Sequence, residues 1–306
     1  MPVTVTHHDT VVEPEAILGL AERAARADGD PPFSDQTLLD VRAGRSGVSC
    51  VLATADDALV GAAVITAQSD RAATSVELAV APQRRGEGVG RALAREVHTR
   101  VSGTVEVWAH GNHPGARRLA QDYRLENVRE LYRLKRPLAG AEDLPLPVDL
   151  APGLSIRVFE VGRDENGWLR ANSRAFAEHP EQGRITLDDL RRREAEPWFD
   201  AAGFLLAVRD EDPEDVQGFH WTKIHPAGQD SPAMGEVYAV GVCPEQQGRG
   251  LGKALTAAGI NHLAGRGLDE VMLYVDGDNV GAVALYEKLG FERWHVDVMY
   301  RGTFPG

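Results

Sequence analysis

Apolar residues in the second half of the chain recur with two periods, and those periods delimit its elements. Dense short runs at Phe204 to Arg209 and Gln217 to Ile224 predict antiparallel strands, and Glu236 to Val242 and Val271 to Asp276 predict two more. Helical spacing predicts helices near Trp168 to Phe176 and Leu187 to Glu194. It predicts another that opens from a turn over Gln247 to Gly252 and reaches about His262, and a short one over Ala282 to Leu289. The order is helices, then strands, then strand, helix, strand, helix. The longest apolar stretches, such as Phe204 to Val208, fall far short of the roughly 20 residues a membrane helix needs.

The first half repeats this order. ELAVAPQRRGEGVGRAL, from Glu77 to Leu93, aligns without a gap on AVGVCPEQQGRGLGKAL, from Ala239 to Leu255. Val80, Pro82, Gly86, Gly88 and Gly90 meet Val242, Pro244, Gly248, Gly250 and Gly252 at a constant separation of 162. Downstream, Ala116, Leu119 and Leu125 meet Ala282, Leu285 and Phe291 at 166, a difference that one loop insertion explains. The chain is therefore read as a duplication. Between Pro137 and Gly153 it carries four prolines and little periodic hydrophobicity, the composition of a connector. The expected organisation is a domain over 1–139, a linker over 140–153 and a second domain over 154–306, which suits a length of 306 residues.

Composition narrows the chemistry. Hydrophobic residues at 43% and charged residues at 26% describe a folded globular protein. MPVTVTHHDT has neither a basic start nor an apolar signal core, so a cytoplasmic protein is expected. Cys50 and Cys243, the two cysteines, have no zinc-type spacing and are read as packing residues, with no metal expected. A formal net charge of −13 repels nucleic acid and anionic membranes, so an anionic ligand has to be held by local geometry.

That geometry is written around Val242. A strand ending there, Pro244 just beyond, then Gln247, Gly250 and Gly252 opening a helix, converge free backbone N–H groups on one point, which suits phosphate. Glycine lets a pyrophosphate approach the backbone closely, and Arg249 and Lys253 add positive charge. The pattern Gln/Arg-x-x-Gly-x-Gly stands at Gln247, Gly250 and Gly252 and again at Arg85, Gly88 and Gly90. A second pattern follows as Asn279, Ala282 and LYEKLGF from Leu285 to Phe291. In both features the chain resembles the GNAT acetyltransferase superfamily.

The resemblance implies an α/β (α+β) fold of two tandem GNAT domains, each a mixed, mostly antiparallel sheet flanked by helices. It implies acetyl-CoA as cosubstrate, held in the second half by Val240, Gly241, Val242, Gln247, Gly248, Arg249, Gly250, Leu251, Gly252 and Lys253 with Asn279 and Ala282. The first-half counterparts are Leu78, Ala79, Val80, Arg85, Gly86, Gly88, Gly90 and Arg91. Tyr286 would lie near the coenzyme sulfur and protonate the departing thiolate, and a phenol with a free pKa near 10 stays protonated at neutral pH. The Val242 N–H would bind the thioester oxygen. By alternation Glu236, Tyr238, Val240 and Val242 share one face, which makes Glu236 the candidate base. At the same separations Glu236 meets Thr74, Tyr286 meets Ala120 and Gly290 meets Arg124. The first half is thus expected to keep the cradle without the acid and base.

The tandem architecture, the run GEVYAVGVCPEQQGRGLGKALT and the ending VMLYVDGDNVGAVALYEKLGFERWHVDVMY resemble the mycothiol acetyltransferase family. That resemblance implies N-acetylation of the cysteinyl amine of desacetylmycothiol, a small-molecule acceptor; separately, a monomer is expected. It places acceptor contacts on Asp35, Glu181, Lys223, Glu236 and Tyr274. Two alternatives stay open at this point: a tandem GNAT enzyme acting on another amine, such as an aminoglycoside or a protein N-terminus, and a non-catalytic CoA-binding sensor.

Overall fold

The computed structural model describes residues 3–67, 73–177, 180–228 and 232–306. Its first part runs β1 (Thr4–His8), α1 (Pro14–Asp28), α2 (Asp35–Ala43), β2 (Val48–Ala55), β3 (Ala58–Ala67), β4 (Ala73–Val80), α3 (Val89–Arg100), β5 (Gly103–Ala109) and α4 (Pro114–Asp122). Local chemistry sets these boundaries. Pro14 and Pro114 open their helices, where the missing N–H is not needed. The Ser34 hydroxyl caps α2 by accepting from Thr37 N–H. Gly29 and Gly44 end α1 and α2 in left-handed conformations.

The chain continues through β6 (Glu126–Pro137), β7 (Leu154–Val158), α5 (Glu165–Ala175), α6 (Pro180–Gly183) and α7 (Leu187–Glu194). It ends through β8 (Phe204–Arg209), β9 (Val216–His225), β10 (Met234–Val242), α8 (Leu251–Gly265), β11 (Glu270–Asp276), α9 (Val280–Lys288) and β12 (Glu292–Phe304). Phe204–Arg209 and Leu187–Glu194 coincide with the segments read from periodicity. The helix after Gly250 runs three residues past His262, because Leu263 is fully buried and continues the apolar stripe.

By contacts the chain forms two compact units. One comprises the residues up to Tyr132 with Asp276–Asp278 and His295–Gly306; the other comprises Arg133–Val275 with Asn279–Trp294. The last twelve residues therefore belong to the first unit. There they pair antiparallel with β5, from Val298↔Ala109 to Phe304↔Gly103. Strand order is β1-β2-β3-β4-β5 in the first unit, which takes β12 from His295 onward beside β5, and β11-β10-β9-β8-β7 in the second, while β6 is divided between the units after Tyr132. In each, one central pair is parallel, β4 with β5 and β10 with β11, while their other neighbours β3 and β9 run antiparallel. The folds are thus mixed, mostly antiparallel sheets flanked by helices.

The second unit's core is aromatic. Trp221 stacks on Phe204 at 4.4 Å between ring centroids and takes the edge of Trp168 at 5.8 Å. Such pairs add about 0.5–1.5 kcal/mol each beyond the area they bury. Cys50 and Cys243 are fully buried, and burial pushes both thiols up from their usual pKa, as packing residues require. The proline-rich connector is held in place at Leu146, whose N–H and C=O both bond the Asn261 side-chain amide, at 2.7 and 2.9 Å. Among the described residues no helix is long and apolar enough to cross a membrane, and no cluster of three metal-ligating side chains occurs.

Candidate active site

The duplicated glycine loops fold alike. Gly88 precedes α3 at φ 89, ψ 0, and Gly250 precedes α8 at φ 85, ψ −5, a left-handed conformation that side chains disfavour. A Cβ on either would meet no protein atom within 4 Å, so the space each glycine leaves opens away from the protein. The first residue of each motif ties the loop back to its strand. Arg85 Nε donates to the Val80 carbonyl and Gln247 Nε2 to the Val242 carbonyl, both at 3.2 Å. Arg85 is also held bidentate by Asp28, at 2.7 Å for both bonds, and this contact draws the Asp28 carboxyl below its ordinary pKa. Arg249 and Lys253 are exposed beside the Gly250 loop. Arg91 lies 3.7 Å from Asp122.

Beside each loop the parallel strands part. β10 pairs with β11 only over Gly235–Val237, and β4 with β5 only over Ala73–Glu77. The far ends, Val240 to Val242 and Leu78 to Val80, therefore have no partner on that edge. Cys243 N–H donates to the Gln217 carbonyl and Ala81 N–H to the Val60 carbonyl, each at 2.9 Å on the opposite side. Backbone alternation then turns the preceding N–H groups, those of Val242 and Val80, toward the open edge. The second motif repeats too. Asn279 Oδ1 accepts from Ala282 N–H at 3.1 Å and caps α9. Gly290 at φ 81 is matched by Arg124 at φ 55, so the left-handed turn persists without its glycine.

One expectation is corrected by a bulge. β10 pairs with β9 through Val237↔Thr222 and resumes at Ala239↔Trp221, leaving Tyr238 as the extra residue. A bulge reverses the alternation, so Val240 and Val242 lie on the face opposite Glu236. A Cβ on Gly235 would meet Leu263 of α8, whereas one on Gly241 would meet Phe219 and Ala175 of α5. Glu236 and Tyr238 stay together on the side of α5 and α7, and β10 presents its carboxylate to one face and its Val240 and Val242 side chains to the other. β4 has no bulge against β3, so by register Ser75, rather than Thr74, stands where Glu236 does.

Three residues expected on the acceptor side lie on one sheet face. Glu236 is the cross-strand partner of Lys223 and of Met272, two residues before Tyr274. Glu236 is 7% exposed and Tyr274 42%. The Lys223 ammonium lies over the rings of Trp198 and Tyr238, at 5.1 and 5.6 Å. The carboxylate itself accepts from His225 Nε2 at 2.7 Å, a contact that sequence reasoning missed. Tyr286 packs its ring edge-on to Phe291, and burial pushes its phenol up to about 12. Asp35 is the first residue of α2 in the other unit. Glu181 falls in α6, and its side chain lies outside the described residues.

The first unit contains a carboxylate that motif matching overlooked. Glu77 of β4, 3% exposed, accepts from Ser34 N–H at 3.2 Å and from His110 Nε2 at 2.8 Å. Asp297 accepts from His110 Nδ1 at 3.2 Å and from Gly111 N–H at 2.8 Å. Burial alone would lower the His110 pKa, but its bonds to Asp297 and Glu77 outweigh that and raise it to about 9. Both nitrogens then donate, and Glu77 is fully engaged. Beside this cluster opens a cavity of about 680 Å³ lined by the Gly86 to Arg91 loop, Trp108, His110 and Tyr300.

A histidine whose folded pKa is raised stabilises the protein fully below its unfolded value of about 6.5 and loses that contribution as pH rises through about 9. Thermal stability of the parent is therefore expected to fall between pH 6.5 and 9.5. In His110→Gln that component should vanish and leave a flatter profile. Equal pH dependence in both proteins would dissociate His110 from the effect.

The profile of the Acetyltransferase (GNAT) family matches residues 168–291, and that of an Acetyltransferase (GNAT) domain matches residues 46–133. The chain is 64% identical to a mycothiol acetyltransferase of Kocuria rhizophila over 302 residues, 98% of this chain and 100% of that one. It is 52% identical to a mycothiol acetyltransferase of Thermobispora bispora over 305 residues, again 98% and 100%. Among solved structures, a tandem GNAT protein from the clavulanic acid biosynthesis pathway superposes with a TM-score of 0.72 at 18% identity, covering 100% of this chain and 99% of that one. A GCN5-related N-acetyltransferase from Sphaerobacter thermophilus gives the same TM-score at 24% identity, covering 99% and 96%. Two glycine turns, two parted strand pairs and full-length identity above one half agree: the chain is an N-acetyltransferase that belongs to the mycothiol acetyltransferase family of tandem GNAT proteins.

Proposed function

We propose that the second half transfers the acetyl group of acetyl-CoA to the cysteinyl amine of desacetylmycothiol, a cysteinyl glucosaminyl inositol. The observation that carries this reading is the parted β10/β11 edge, which sets an open N–H of Val242 on the same short strand as the buried carboxylate of Glu236. The cosubstrate supplies an activated thioester. The Gly248 to Gly252 loop and the start of α8 hold its pyrophosphate, and the Val242 N–H stabilises the oxyanion. Glu236 accepts the proton that the acceptor ammonium loses, and Tyr286 donates to the leaving sulfur. Lys223 and Tyr274, on the same sheet face as Glu236, contact the polyhydroxylated acceptor. We assign the first half coenzyme binding without turnover: it has the cradle and the 680 Å³ cavity, but Ala120 replaces Tyr286 and Glu77 is tied down.

The test is Glu236→Gln. A free α-amino group titrates near 7.7 to 8, so below that pH the acceptor arrives as ammonium and needs a base. The loss of kcat/KM, measured with acetyl-CoA and cysteinyl glucosaminyl inositol, should be greatest from about pH 6 to 7 and shrink toward pH 9.5. A ratio that stays flat makes Glu236 a positioning group, and no loss at any pH removes it from the site. Turnover with aminoglycosides but not with this acceptor would overturn the substrate assignment.

A further inference from the structure

Cross-strand geometry gives Glu236 an obvious ionic partner that it does not use. Lys223 sits directly opposite on β9, yet its ammonium is drawn over Trp198 and Tyr238, whose hydroxyl in turn accepts from Arg193 Nε at 3.2 Å. The carboxylate bonds instead to His225, two residues along β9 and paired with Met234. Residues 223 and 225 share a face, so the histidine approaches Glu236 diagonally from the strand end. At 2.7 Å the bond is short, as expected for a charge-assisted contact. The Glu236 side chain is 9% exposed and that of His225 35%, so the pair runs from the interior to the surface.

We propose that His225 is a positioning residue for the acetyl transfer. Its Nε2–H donates to Oε2 of Glu236, fixes the carboxylate plane, and leaves Oε1, which makes no hydrogen bond among the described residues, as the oxygen that receives the acceptor's proton. A buried carboxylate with a single polar neighbour has several rotamers, and only a held one presents the same oxygen at each turnover. Because the histidine takes the place of Lys223, the lysine's charge stays with the acceptor and does not neutralise the base. This inference rests on Glu236 being the base.

The experiment compares His225→Leu and His225→Gln, each alone and in the Glu236→Gln background, with acetyl-CoA and cysteinyl glucosaminyl inositol as substrates. His225 is partly exposed, and thermal melts confirm that each variant is folded. His225→Leu should lower kcat about ten- to a hundredfold, the worth of a hydrogen bond to a charged group, with KM for acetyl-CoA unchanged. His225→Gln, whose amide nitrogen can replace Nε2, should recover most of that loss. In the Glu236→Gln background His225→Leu should add nothing further, because the group it positions is gone. Full additivity of the two losses, no loss in His225→Leu, or a failure of Gln to outperform Leu overturns the proposal. If Glu236→Gln alone loses no activity, the base assignment fails first, an outcome distinct from a base that works without its histidine.

Discussion

Tyr286→Phe is expected to lower kcat while leaving the acetyl-CoA KM nearly unchanged, and the size of the loss reports what the hydroxyl does. Desolvation pushes the half-buried phenol up to about 12, so it stays protonated at any working pH. An ordinary thiol titrates near 8.5. Complete proton transfer from such a phenol to such a thiolate is uphill by about 5 kcal/mol, unless the same desolvation raises the sulfur's proton affinity. A loss of about ten- to a hundredfold therefore marks hydrogen-bond donation to developing thiolate charge. A loss of about a thousand- to ten-thousandfold marks full general acid catalysis. The control is Gly88→Val, which alters the first cradle and should leave most turnover intact. If Gly88→Val damages kcat more than Tyr286→Phe, catalysis does not reside in the second half.

Gly250→Val is expected to abolish acetyl-CoA binding at the second cradle. At φ 85 a β-branched residue is strained, and its side chain would project into the open space before α8 where a pyrophosphate approaches. Several charge-assisted bonds from backbone N–H groups are lost together, which predicts at least about a hundredfold fall in affinity. Because the first half carries the same glycine turn at Gly88, the titration belongs in full-length protein that also carries Gly88→Val, so that calorimetry reports one site. Unchanged affinity in a folded double variant would remove the cradle assignment.

Local physics made much of this legible in sequence. Turn glycines at fixed separation located the left-handed turns before α3 and α8 to the residue, because glycine adopts that backbone with the least strain. Strand and helix identities followed from period and composition, and their ends shifted by a few residues where burial continued past the last periodic position. The bulge at Tyr238 was invisible: alternation is counted along one strand, whereas a bulge exists only relative to the partner's register. The same reason hid His225, which reaches Glu236 only once β9 and β10 are paired. The Glu77, His110 and Asp297 cluster joins positions 187 residues apart and has no local signature at all. Carboxylates counted by alignment at Thr74 therefore missed the one that stands three residues on.

The membership of His295–Gly306 in the first unit bears on how the chain is made. During synthesis β5 leaves the ribosome with its outer edge bare, and its antiparallel partner from Val298 to Phe304 follows only after the whole second half has been translated. At about 5–20 residues per second that interval is on the order of ten to forty seconds, long compared with the folding of a small domain. Until then the nascent first half exposes an unpaired strand edge and a cavity without Tyr300 and Phe304. A polypeptide cut at the proline-rich connector would stay in that unfinished state, so the two halves, although duplicated in sequence, are not interchangeable modules for expression.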